Sequence, residues 1–427
     1  MATDVDVQYF SHLNGLTLGN NWGDLIRVLD KVLVTGIDFT QITAASIDEQ
    51  GDVHITLYAA HNAMLFQVVE LSGFTPSSLN QKYRIKGVPN TTKLILKPAL
   101  DIVERSIRTS GAAKLASLGY EIVFRDSDDV KRVYRAKNPT TQHPYIRVDE
   151  SLASPDGTTG VYASTYAKSA MVGLLEHMDH IDDYENPDVL QLPFDPANPK
   201  KNWKVLGTGT AVNRGWSKWY WASSYDAYEL YDEQNAPTNA NRNFTIVGNK
   251  NHFFFSIQIK AWDETRKLNG CGLFDSSRDN SIVPNWFLIS YVRDTAASAG
   301  IFAYIADYGI PLNGASLGAN SGFLLPSYNV VNKLQAHTRA VPILATGRSG
   351  HTSAGFNADF GAVQIPFYDA QGRVRGVLPT ICYAGNSITS NQTSISLQES
   401  TMFVSDRAAG AQGAGSGGFH FYLGELE

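Results

Sequence analysis

The period of the apolar positions changes along the chain, and each change predicts an element. Between Gly23 and Gly36, the residues Leu25, Val28, Leu29, Val32 and Leu33 recur at i, i+3, i+4, i+7 and i+8. That spacing puts them on one stripe of an amphipathic helix, with Arg27, Asp30 and Lys31 on the opposite face. Asp24 sits where a cap or first-turn acid is favoured, and Gly36 where a left-handed residue stops a helix. Such a helix docks its stripe on a domain or on a partner.

From Ile37 to Pro98 the period becomes two. Asp52–Tyr58 alternates polar and apolar, and Gln67–Leu71, Lys82–Lys86 and Lys93–Leu96 follow at short, similar intervals. Gly51, Ser72-Gly73, Asn80 and Pro89-Asn90 punctuate them as turns, so a small antiparallel β module is expected over residues 38–98. Asp101–Ser117 fits helix or extended chain equally. Tyr120–Arg125 and Val130–Arg135 read as a hairpin around Asp126–Asp129, with Tyr145–Val148 as the next strand. Loops rich in Pro and Asn follow, at 154–157 and 186–201.

The centre is aromatic. Trp203, Trp216, Trp219, Tyr220 and Trp221 lead into Arg242–Gly248 and Asn251–Ile259, two strand-like runs joined by a short turn. The run Phe253–Phe255 predicts a strand covered on both faces, and Pro284–Ile289 adds another strand nearby. Further short strands are expected at Arg373–Val377, Ser394–Leu397 and Phe419–Leu423, with a flexible glycine loop at Gly410–Gly418. The fold class expected is mainly β and multi-domain, with antiparallel sandwiches or barrels, one N-terminal amphipathic helix and few others. The boundaries expected are 1–37 for the helical segment, 38–98 for the inserted module, 99–330 for the aromatic β domain and 331–427 for a β-rich C-terminal region.

Composition narrows the function. The 427 residues exceed one ordinary core, and 43% hydrophobic with 11% aromatic content is enough to fill several. Only 18% are charged, so Asn, Ser, Thr, Gln and Gly must supply much of the polar surface. A net charge of −6 gives no basic stripe for nucleic acid. No apolar run approaches the roughly 18 residues a membrane helix needs, and the acidic start Met1–Asp6 is not a signal peptide. Cys271 and Cys382 lack CxxC spacing and read as small buried residues of a protein made in a reducing cytosol.

Candidate chemistry is sparse. His177, His180 and Asp183 are potential metal ligands if a helix brings them to one face, but the HExxH spacing is absent, and a polar helix end or loop explains them as well. Acid pairs such as Asp182/Asp183 or Asp275 with Asp279 suit glycoside hydrolysis in kind, yet 41 acidic residues make such pairs unavoidable. The glycine run lacks the Gly-Lys-Ser/Thr of a phosphate cradle. Trp216, Trp219 and Trp221 offer either ring faces for a sugar or packing for a core or an interface. Asn90, Asn243 and Asn391 head glycosylation sequons, which mean little without a secretory signal.

The order of these motifs resembles a family of tailed-bacteriophage virion proteins encoded among tail and baseplate genes. Leu25–Gly36 is similar to that family's N-terminal LxxVLDxxLVxGF segment, and Leu71–Asn80 to the SGATPxxLNG turn of its small β insert. Gly119–Arg135 with Tyr145–Asp149 resembles its GW…VYR…LRVDD strands, and Arg242–Phe255 its later RPWxLVxDxRxFYF hairpin. Lys31 and Val32 stand where small residues are usual there, Ile37 and Asp38 flank the customary Phe, and Gly248-Asn249-Lys250 replaces the polar hairpin turn. The resemblance implies a structural subunit of the virion, in the tail or baseplate, without catalytic residues or cofactors. Its partners would be other tail proteins and further copies of itself in a symmetric assembly. Leu25, Val28, Leu29, Val32, Leu33, Trp216, Trp219 and Trp221 are the expected interface. The rival expectation is a receptor-binding or fibre-like protein that grips a host-surface glycan through the tryptophans.

Overall fold

A computed structural model describes residues 3–154, 160–207, 209, 212–224, 234–261, 266–292, 312, 322–328, 334–343, 361–384, 388, 392–408 and 417–426. The protein is mainly β, and its named strands pair antiparallel in three large sheets and one small one. The predicted helix is present. It is α-helical over Asp24–Leu29 and continues as a wider π-type turn over Asp30–Thr35, closed by Gly36 N–H on the Lys31 carbonyl at 2.7 Å. Gly36 has φ +72, and a Cβ there would sit 2.1 Å from the Leu115 carbonyl, so only glycine permits this close approach.

The insert sheet follows the period-two reading. Its strands lie in the order Ile37–Asp38, Ala112–Leu115, Val68–Ser72, Lys82–Asn90, Lys93–Pro98, Val53–Leu57 and Ile42–Ile47. It thus draws its second strand from the 101–117 stretch whose pattern fits two conformations. Leu94, Leu96, Val53, Ile55 and Leu57 point inward, while Lys93, His54, Thr56 and Lys97 alternate on the wetter face.

The middle sheet runs Tyr291–Val292, Ser217–Ala222, Lys168–Leu175, Tyr145–Asp149, Lys131–Ala136, Tyr120–Arg125, with Gln191–Leu192 paired to one end of Lys168–Leu175. The hairpin predicted around Asp126–Asp129 forms, with a bulge between Val133 and Tyr134. Three of these strands, Tyr145–Asp149, Lys168–Leu175 and Ser217–Ala222, are buried at every position.

The long sheet holds thirteen strands among the described residues, from Gln8–Ser11 through Phe244–Gly248 and His252–Ile257 to Gly417–Glu425, Thr401–Ala408 and Ser394–Gln398. Its strands come from both sides of residue 330. The sheet folds back on itself, because strands far apart in its order touch. Arg266 pairs with Asp406 at 2.8 Å, Thr245 Oγ1 meets Thr393 Oγ1 at 2.8 Å, and the Phe254 and Phe421 rings lie 6.0 Å apart. The enclosed core holds Phe254, Phe287, Phe323, Phe367, Ile381 and Phe421. Phe253 and Phe255 point the other way, into a second core shared with the middle sheet, the helix and the insert. The Phe253–Phe255 run is therefore covered on both faces, as its composition predicts.

Candidate assembly core

The N-terminal helix is short, so its capping decides its stability. Gly23 begins it with φ +86 and provides no side-chain cap. The partner is distant in sequence: the Glu150 carboxylate accepts from Ile26 N–H at 3.0 Å and from Gly23 N–H. A carboxylate at a helix N-terminus satisfies orphan donors and complements the backbone dipole. Glu150 is 1% exposed, and burial raises its pKa to about 7 against the lowering effect of those two N–H groups and of Arg214. Further along, Asp30 accepts from Arg132 Nε at 3.2 Å and from the Tyr134 hydroxyl at 2.8 Å, where the α turn widens. The helix is thus fastened to the middle sheet by charge at both ends and by apolar packing between.

Buried cations lie on and beside the middle sheet. Arg147 donates to Asp149 at 2.8 Å and to Asp182 at 2.6 Å, and its guanidinium lies over the Trp203 and Tyr184 rings at 4.4 and 4.8 Å. Lys131 adds a second contact to Asp182 at 3.0 Å. Asp149, although buried, keeps a carboxyl pKa below the usual value; burial opposes this, and the Arg147 charge and the Ser151 hydroxyl overcome it. Arg214 donates to the Ser151 and Ser169 carbonyls at 2.9 and 2.7 Å and lies over the Trp22 and Tyr162 rings. Lys168 donates to the Tyr166 carbonyl at 2.8 Å and rests over Trp22; burial, with Arg214 and Arg242 nearby, lowers its pKa to about 8.

Arg84 performs the same service between the insert and both chain ends. It donates to the carbonyls of Asp4, Val7, Phe66 and Leu423. Each of these guanidinium groups spends its planar donor fork on several fixed acceptors. What these groups do in the fold is cross-link segments that are distant in sequence.

The residues expected at an interface lie inside the chain. Leu25, Leu29, Val32 and Leu33 are fully buried and Val28 nearly so, all in the core they share with Ile55, Leu96 and Trp219. Trp219 and Trp221 are also fully buried, and Trp216 is 7% exposed. Trp219 donates to the Ile289 carbonyl at 2.9 Å and meets Phe253 and Phe255 edge-on; Trp221 meets Trp22, and Trp216 lies between His337 and Lys201. The expected surface for other subunits is corrected accordingly: the helix docks on its own chain, and the tryptophan rings have no free face for a sugar. Strand alternation places Trp219 and Trp221 on one side of their strand, and the long sheet and the helix segment cover that side.

The other candidates separate in space or chemistry. His177, His180 and Asp183 lie in a loop rather than on a helix face. His177 pairs with Asp179 at 2.9 Å, and Asp182 is already engaged by Arg147 and Lys131. Among the described residues, no three His, Cys, Asp or Glu side chains group as metal ligands. Asp275 lines a surface cleft, whereas Asp279 turns its carboxylate onto Ser281 N–H at 2.9 Å. Both cysteines are free thiols, with pKa values raised by burial, to about 11 at Cys382. The glycine run from 410 to 416 lies outside the described residues. What the sequence reading passed over is Arg147, Glu150 and Arg214, whose only signal is a charged residue at an alternate position of, or just beyond, a strand.

No known family profile matches the chain, and no curated protein does. Among solved structures, it is similar to the Phage phi92 endosialidase at 8% identity and a TM-score of 0.15, over 91% of this chain and 52% of that one. The chain thus spans about half the length of that protein. Likeness at this level establishes neither a shared fold nor a shared activity.

Proposed function

We propose that the protein is a structural subunit of a tailed-phage virion, in the tail or baseplate, that works by protein–protein assembly rather than catalysis. The observation that carries this reading is the order of virion-family motifs in the sequence, spread over residues 20–290. In the fold those segments meet in one place. The helix motif lies across the middle sheet, the insert motif packs beside it, and the Arg242–Phe255 hairpin covers the shared core. The buried, cross-linked cations support the same reading, because they hold sheets in fixed relation and give a subunit the rigidity that repeated assembly requires.

The partners proposed are other tail proteins and further copies of this chain, and the place proposed is the virion, after synthesis in the host cytoplasm. The test is mass spectrometry of purified particles split into head and tail fractions. Peptides of this chain in the tail fraction, at a small multiple of three or six copies, are the expected result. Particles that lack it would overturn the reading.

A further inference from the structure

The insert sheet ends in a strand with one unpaired side. Ile42–Ile47 is the last strand in its order and pairs only with Val53–Leu57. Asp48 N–H, just beyond it, donates inward to the Asp52 carbonyl at 3.0 Å. Backbone groups alternate in direction along an antiparallel strand, so Ser46 and Ala44 also face inward, and the N–H and C=O of Ala45 and Ile47 face outward. Among the described residues none bonds to those outward groups. The one irregularity, between Ile42 and Ala44, lies at the start and leaves Ala44–Ile47 regular.

A free row of this kind is a template for another strand, and proteins guard such rows with charge, proline or a covering segment. The edge strand Tyr120–Arg125 carries Glu121 and Arg125, and Ser394–Gln398 starts beside Thr393, which is tied to Thr245 and Arg266. Ile42–Ile47 holds no charge and no proline, and Thr43, Ala44 and Ser46 are small and exposed. Its two ends differ. At one, Asp48 and Glu49 bring carboxylates, and Arg105, donating to the Glu49 carbonyl at 2.8 Å, ties down the loop that presents Val103, 93% exposed. At the other, Tyr58 N–H donates to the Gln41 carbonyl at 2.9 Å, and Tyr58 is 77% exposed. A parallel neighbour of the same sequence would set carboxylates against carboxylates. An antiparallel one sets Asp48 and Glu49 against the donors of Gln41 and Tyr58, and the Tyr58 ring against Val103, at both ends alike.

We propose that Ile42–Ile47 pairs antiparallel with the same strand of a second copy of this chain, about a two-fold axis at Ala45. The pairing satisfies the outward groups of Ala45 and Ile47, sets Ala44 beside Ser46 of the other copy, and closes the edge, so association through this surface ends at a dimer. It replaces the buried leucine stripe and tryptophans as the place where copies meet. It rests on the reading that the chain assembles with itself. A chain that is monomeric in solution yet present in tails would sink this surface and spare that reading.

The test is sedimentation equilibrium of the full chain over a concentration series, with a monomer–dimer equilibrium expected. Ala44→Lys, on the face opposite the core-facing Ala45 and Ile47, should weaken the dimer roughly tenfold or more at an unaltered melting temperature. Ala45→Pro removes an outward N–H that the chain's own ladder does not use, and should act likewise. Amide exchange of the natural chain adds a readout that needs no variant. Ala45 and Ile47 should gain protection as concentration rises, while Ala44 and Ser46 are protected throughout. The proposal is overturned by a chain that stays monomeric, by a dimer indifferent to both substitutions, by open-ended growth past the dimer, or by exchange at Ala45 and Ile47 that ignores concentration.

Discussion

The insert sheet and the middle sheet are written in the same alternating pattern and are buried in different ways. In Lys93–Pro98 the polar positions reach solvent: Lys93 is exposed, and Ile95 and Lys97 are half-buried. In Tyr145–Asp149 the alternate positions Arg147 and Asp149 are as buried as Ile146 and Val148. A polar residue at every second place therefore means one solvated face only when nothing covers that face. In the middle sheet the face that carries Arg147 is covered by the segment around Ile181 and by Trp203 and Tyr184, and its charges are neutralised by one another, by a backbone carbonyl and by aromatic rings. The lesson is that paired signs decide. Arg147 and Asp149 are opposite charges two apart on one strand, side by side on one face, whereas Lys93 and Lys97 are like charges that must be solvated.

Four measurements sharpen or break this contrast. The largest effect is expected from Arg147→Ala, which leaves Asp149 buried without its cation. A loss of about 3–5 kcal/mol is predicted from urea unfolding, and a loss under 1 kcal/mol would mean that this face is wet. Leu29→Ala removes a fully buried helix side chain and should cost about 2–5 kcal/mol in the same assay.

Glu150 gives a pH test. Its folded pKa is raised, so its favourable contribution is complete below about pH 4.5 and is lost as pH rises through about 7. The stability of the natural chain relative to Glu150→Gln should therefore fall by on the order of 3 kcal/mol between pH 4.5 and pH 8. A flat difference would mean that the Gly23 and Ile26 N–H groups and Arg214 offset burial completely. The smallest effect is Lys93→Ala on the insert, within about 0.5 kcal/mol of the natural chain. A larger cost there would erase the distinction between the two sheets.

Much of the fold is legible in the residues. The helix over Asp24–Thr35 declares itself through five apolar positions on one stripe, and Gly36 through the stop it makes. The Phe244–Gly248 and His252–Ile257 hairpin is visible in its aromatic runs and short turn. What could not be read is which elements cover which. The stripe of Leu25, Val28 and Leu29 has the same pattern whether it faces its own sheets or a neighbour, because periodicity gives the face and not its occupant. Glu150 caps a helix more than a hundred residues away, and that pairing exists only after the chain has folded.

Hydrogen–deuterium exchange on the isolated chain tests most directly whether the leucine stripe and the tryptophans belong to this chain's interior. The account predicts strong protection of Leu25–Leu33 and of Ser217–Ala222 in the absence of any partner, comparable with that of His252–Ile257. Rapid exchange in the first two segments with protection only in assembled particles would contradict it, and would return those residues to a subunit interface.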